Sequence, residues 1–211
     1  MKKQKRRNNI LMLISFVCIA LGSILIVYKI TLPLVKEKQE KEALEEFYEN
    51  EIKYDTQVDK NDKIDKTSSS EEKKSKSKLE YVAVLKIPKI KLEKGIAGKG
   101  SKYNSVDYGI EVLDSSDAPD VEKGNVILCA HAGNSKVSYF RELDLLKVGD
   151  VIMIIYKGKT YQYEIVDIYS IKKTGTAPIR KDRTKSTITL ITCIHNTDRQ
   201  IVLIGNLQNS E

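Results

Sequence analysis

Nineteen consecutive residues without a charge, Ile10–Tyr28, follow a cluster of five bases: Lys2, Lys3, Lys5, Arg6 and Arg7. As a helix rising 1.5 Å per residue the run spans roughly 28 Å, close to the hydrocarbon thickness of a bilayer. A cleaved signal peptide would have an apolar core of only about 7–15 residues followed by a small-residue cleavage site. Ala20-Leu21-Gly22 is a poor version of such a site, and the apolar run continues past it. The reading is an uncleaved transmembrane signal-anchor helix over residues 10–30, with the bilayer as its partner. The bases ahead of it hold residues 1–9 in the cytoplasm as a basic tail and leave the rest of the chain outside the cell membrane.

Residues 31–79 read as a charged linker, partly helical or disordered. Lys36–Lys53 is rich in helix formers, with Leu44, Phe47 and Ile52 as sparse apolar positions. Asp55–Lys78, with Thr67-Ser68-Ser69-Ser70 inside it, has too little apolar content to bury and is expected to be mobile. It serves either as a spacer that lets the following domain reach out from the membrane or as a linker of no special length. The net charge of +7 does not imply nucleic-acid binding. Residues 1–79 carry 17 Lys+Arg against 13 Asp+Glu, and residues 80–211 carry 19 against 16, so neither part builds a dense basic face.

Residues 80–211 read as one mostly-β domain. Tyr81–Ile87 is strand-like and Pro88 interrupts it. Ile90–Ile96 follows, with a turn at Gly98-Lys99-Gly100. Gly124–His131 is a buried strand ending in a loop. Ser138–Leu146 has helical spacing, with Phe140, Leu143 and Leu146 able to share a face. Val151–Tyr156 and Thr160–Ile171 form a hairpin through Lys157-Gly158-Lys159, and Ser186–Thr192 and Gln200–Leu207 are the last strands. Many short strands without a βαβ rhythm mean a barrel or sandwich with one core.

The chain has three cysteines, too few for a disulfide scaffold, and two histidines. Cys18 lies in the apolar run. Cys129 with His131, and Cys193 with His195, could be drawn as a Cys2His2 zinc site, but four ligands would have to converge from two strand ends. A thiol nucleophile with an imidazole partner is the more economical use. Asp114, Asp117 and Asp120 match calcium-ligand spacing only loosely, and Pro119 among them points to an acidic turn. No metal and no cofactor is called for.

Thr189-Leu190-Ile191-Thr192-Cys193 fits the TLxTC pattern of the sortase family, with Arg199 opening the next strand. Gly124–Gly133 resembles the strand that carries that family's catalytic His. Tyr139–Leu143, Leu146–Asp150 and Ile87–Ile90 resemble its usual helix, turn and opening. The resemblance covers essentially all of 80–211. It implies a closed β-barrel of seven or eight strands with one or two short helices, and a membrane-anchored cysteine transpeptidase of Gram-positive bacteria. The partners it implies are proteins bearing an LPxTG-like sorting signal and an amine acceptor, a peptidoglycan precursor or a pilin. It implies Cys193 as nucleophile, His131 as general acid and base, and Arg199 as donor to the substrate carbonyl or oxyanion.

Two departures stand out. Ala130 replaces the usual Gly before the His, and only five residues, Ile194–Asp198, separate Cys193 from Arg199. The short loop leaves the sub-class and sorting motif open. Thr192 either orients the thiol or substrate or is an ordinary β-branched strand residue. His195 is the rival for the base, and Cys129 reads as a core thiol. No motif supplies a carboxylate behind the imidazole, so Asp198 is not nominated. The alternatives in function are a surface cysteine peptidase that hydrolyses and a non-catalytic wall-associated module.

Overall fold

The computed structural model describes residues 2–58 and 78–211. The mobile stretch expected over Asp55–Lys78 falls mostly on residues 59–77, outside the described residues. Helix α1 runs Lys2–Val58 with Pro33 inside it, so the expected anchor and the start of the linker share one helix. It is the one helix among the described residues that is long and apolar enough to cross a membrane. Its apolar side chains from Ile19 to Val35 point outward, more than half exposed at Ile19, Ile24, Leu25 and Val27. Lipid can solvate such a surface at no cost, provided the backbone is satisfied within the helix.

The chain divides into two compact units, residues 1–42 and Ala43–Glu211. The second contains the last turns of α1. Ala43 and Phe47, one turn apart, are both buried. The Tyr48 hydroxyl donates to Glu93 Oε1 at 2.6 Å, and Lys86 Nζ lies 5.1 Å from the centre of the Tyr48 ring. Burial, then the Glu93 bond, hold the Tyr48 hydroxyl protonated beyond its ordinary range. Lys78 Nζ meets Glu46 Oε2 at 2.6 Å, and the Gly158 N–H donates to the Glu51 carboxylate.

Eight strands form the rest: β1 (Tyr81–Ile87), β2 (Leu92–Ala97), β3 (Glu111–Val112), β4 (Asn125–Cys129), β5 (Val151–Tyr156), β6 (Lys159–Lys172), β7 (Thr187–Cys193) and β8 (Arg199–Ser210). Their order in one sheet is β2-β1-β5-β6-β8-β7-β4-β3. The edges β2 and β3 approach each other, which nearly closes the sheet into a barrel and leaves little edge to recruit another chain. Period-2 burial fills the interior: Leu85 and Ile87 from β1, Ile152 and Ile154 from β5, Tyr163 and Ile165 from β6. Gly205 on β8 has no room for a side chain, since a Cβ there would come within 2.9 Å of Ile188 Cγ2. The β5–β6 hairpin turns on Lys157 and Gly158, with φ of 52° and 74°, the doubly left-handed turn that matches strand twist.

The helical spacing expected over Ser138–Leu146 resolves differently. Only Leu143–Leu145 is helical, as a 3-10 turn. Phe140, Leu143 and Leu146 are all buried, as expected. Their interval of three residues is the 3-10 repeat as much as an α-helical one, and one short turn seats all three.

Candidate active site

The described strands pair antiparallel except β4 and β7, which run parallel in the register Asn125↔Thr187 to Cys129↔Ile191. A parallel pair brings both C-terminal ends to the same end of the barrel. Pairing continues past β4: the Ala130 N–H donates to the Ile191 carbonyl at 3.4 Å. Continued two residues past Cys129↔Ile191, that register would set His131 across from Cys193. Neighbouring strands lie about 4.8 Å apart and residues two apart share a face, so the two side chains would then start from adjacent positions on one surface.

Buried polar groups hold that register. The Asn125 side-chain oxygen accepts from the Thr187 and Thr189 hydroxyls at 2.9 and 3.0 Å. At the other end the Thr192 hydroxyl, buried, donates to the Ala130 carbonyl at 2.7 Å. Thr192 therefore ties the residue before Cys193 to the residue before His131. Beyond His131 the chain is held by the Phe140 N–H, which donates to the His131 carbonyl at 3.0 Å.

Cys193 is partly exposed at the end of β7. Cys129 is partly buried on the same face, packed with Ile127, Ile191, Val202 and Ile204 beneath Ala177 and Ile179 of the β6–β7 loop. Burial, then the charges of Glu111 and Cys193, push the Cys129 thiol up to about 12. It stays protonated at neutral pH and is a poor nucleophile.

Arg199 opens β8 beside Gln200, the partner of Cys193. By pleat alternation it leaves the strand on the opposite side, across from Lys172. Its guanidinium is fastened to Ser170: Nε to Oγ at 3.1 Å, Nη2 to Oγ at 2.6 Å and Nη2 to the carbonyl at 3.0 Å. Nη1 takes no part in that clamp. Among the described residues no hydrogen bond or ion pair joins Cys193 to His131 or Arg199.

His195 is exposed in the turn from Ile194 to Asp198. That turn is closed by the Thr197 hydroxyl on the Ile194 carbonyl at 3.0 Å and by Asn196 at φ 58°. Two carboxylates of the acidic triplet, those of Asp117 and Asp120, have partners. The Asn125 N–H donates to Asp117 Oδ2 at 2.8 Å, Asp120 Oδ2 holds Lys157 Nζ at 2.9 Å, and Lys99 Nζ donates to the Asp114 carbonyl at 3.0 Å.

The side-chain contact of His131 is with a residue that sequence reasoning passed over. His131 Nε2 lies 3.6 Å from Asp107 Oδ1. Asp107 sits 24 positions upstream in the β2–β3 loop, and no motif spacing links the two.

A family model for the sortase domain matches residues 85–207, and the chain belongs to that family. Solved structures agree on the fold. A Clostridium perfringens sortase D5 transpeptidase aligns with TM-score 0.57 at 24% identity, over 83% of this chain and 99% of that one. Sortase C-1 of Actinomyces oris aligns at 0.54 and 28%, over 60% and 73%. Listeria monocytogenes sortase A aligns at 0.52 and 22%, over 62% and 89%. Comparison with curated proteins finds no match. The protein thus carries the β-barrel domain of a transpeptidase family, preceded in sequence by a helix that could cross a membrane.

Proposed function

We propose that the chain is a membrane-anchored cysteine transpeptidase that cleaves an LPxTG-like sorting signal through a thioacyl intermediate on Cys193. The observation that supports the reading is the parallel β4–β7 register, which runs to Cys129↔Ile191, two residues short of His131 on one strand end and Cys193 on the other.

The Cys193 thiolate attacks the carbonyl carbon of the signal's Thr. The C–S bond forms, and the C–N bond to the following Gly breaks as His131 gives its proton to the leaving amine. An incoming amine then attacks the thioester and loses a proton to His131. A new C–N bond forms as the C–S bond breaks. Arg199 is assigned the oxyanion by the family resemblance. Its side chain leaves β8 on the side away from Cys193 and rests on Ser170, so it serves this role by reaching round the strand end. Ser170 fixes Nε and Nη2, so Nη1 is the nitrogen left to donate to a substrate oxygen. Thr192 acts by fastening the two catalytic strand ends rather than by touching substrate. The acceptor is a peptidoglycan-precursor or pilin amine, and residues 10–30 anchor residues 80–211 on the outer face.

The chain incubated with a panel of sorting peptides, with and without an amine, should give the amide-joined product when amine is present and slow hydrolysis without it, read by mass. Hydrolysis alone, undiminished by amine, would make it a peptidase. In cells, protease added to intact protoplasts should cut within residues 55–78 and release the domain. If the domain stays protected along with a cytoplasmic marker, the orientation is wrong.

A further inference from the structure

We propose that Asp107 is a positioning residue for His131, holding its imidazole from the β2–β3 loop. The inference rests on the reading of His131 as general acid and base. Asp107 Oδ1 lies 3.6 Å from His131 Nε2, on the ring nitrogen opposite to Nδ1. A carboxylate facing Nε2 orients the ring so that Nδ1 is the nitrogen turned to the thiol and the amine.

The loop is built to hold Asp107 still. The Asn104 side chain pairs with Val112 on both sides, donating to its carbonyl at 3.0 Å and accepting its N–H at 2.7 Å, as a strand neighbour would. Glu111 Oε2 accepts the Val106 N–H at 3.2 Å. The Tyr108 and Gly109 N–H groups both donate to the Ser105 carbonyl at 3.0 Å, and the Ser105 hydroxyl accepts the Asp107 N–H at 3.3 Å. The turn is thus fastened to β3, which pairs with β4 next to His131.

Other ionisable groups on the elements around His131 are Lys99, Lys102, Tyr103 and Tyr108 in the β2–β3 loop, Glu111 on β3, Cys129 and Cys193 on β4 and β7, Arg199 on β8, and Lys136, Arg141 and Glu142 in its own loop. Arg141 is spent on the Gly133 and Ser135 carbonyls, Arg199 on Ser170, and Glu111 on the Val106 N–H. Asp107 is the group in ion-pair range. Its side chain is 81% exposed, so its effect is modest and salt-sensitive.

The test is a double-mutant cycle on the full chain with a sorting peptide. Asp107→Asn should lower kcat about three- to fivefold with KM and Tm nearly unchanged. Asp107→Glu should restore most of the loss, and high salt should shrink the gap between wild type and Asp107→Asn. In a His131→Ala background Asp107→Asn should have no further effect, because its route to the reaction is gone. An equal loss in both backgrounds, or a loss confined to KM, overturns the proposal. If His131→Ala itself keeps near-normal turnover, the assignment of the base fails, a separate outcome visible in the single variant.

Discussion

Cys193→Ala should leave a folded barrel that forms no thioester and transfers nothing, a loss on the order of 10⁴-fold or more in kcat, as expected when a nucleophile is removed. The residue is partly exposed at a strand end, so truncation opens no core cavity. Cys129→Ala is the informative contrast. That thiol packs in the apolar cluster of Ile127, Ile191, Val202 and Ile204, and its raised pKa keeps it protonated. Its loss should cost about 1–2 kcal/mol of stability and leave thioester formation in place. Thiol alkylation at neutral pH should follow the same order, modifying Cys193 well before Cys129.

The second large effect is on the histidines. His131→Ala should lower kcat/KM by about 10²–10⁴-fold, the usual worth of a positioned acid–base group. His195→Ala should change it little. The two lie in physically different places. His131 follows β4, held by the Phe140 N–H on its carbonyl and by Thr192 on its neighbour Ala130. His195 stands exposed on a tight five-residue turn. Folding must be checked by melting, because disturbance near Ala130 would imitate lost catalysis. A dead His195→Ala with a live His131→Ala would move the general acid to the turn and leave Cys193 as it is.

Much of the barrel was legible because its strands carry strong local signals. Lys157-Gly158 between two alternating runs is a hairpin signature, and Asn125–Cys129 is an apolar run bounded by Gly124. β3 was missed because two residues, Glu111 and Val112, have no room to show alternation. The parallel pairing of β4 with β7 is written nowhere in local pattern. It follows from closure of the whole sheet, and with it the ends of β4 and β7 come to the same end of the barrel. The clamp of Ser170 on Arg199 and the approach of Asp107 to His131 are contacts across strands and loops 29 and 24 residues apart in sequence. Side-chain type alone does not reveal them. The docking of Ala43, Phe47 and Tyr48 was hidden for a related reason. Three apolar or aromatic groups in a charged helix are too few to announce a face until Lys86 and Glu93 on the β1–β2 hairpin complete it.

The central claim is that Cys193 carries the acyl group. Incubating the chain with a sorting peptide in the absence of amine, quenching in acid and mapping the proteolytic fragments by mass tests it most directly. The account predicts a thioester of the peptide's Thr on the fragment containing Cys193, discharged when amine is added before the quench. An adduct on the fragment containing Cys129, or product formed in Cys193→Ala with wild-type yield, would contradict it.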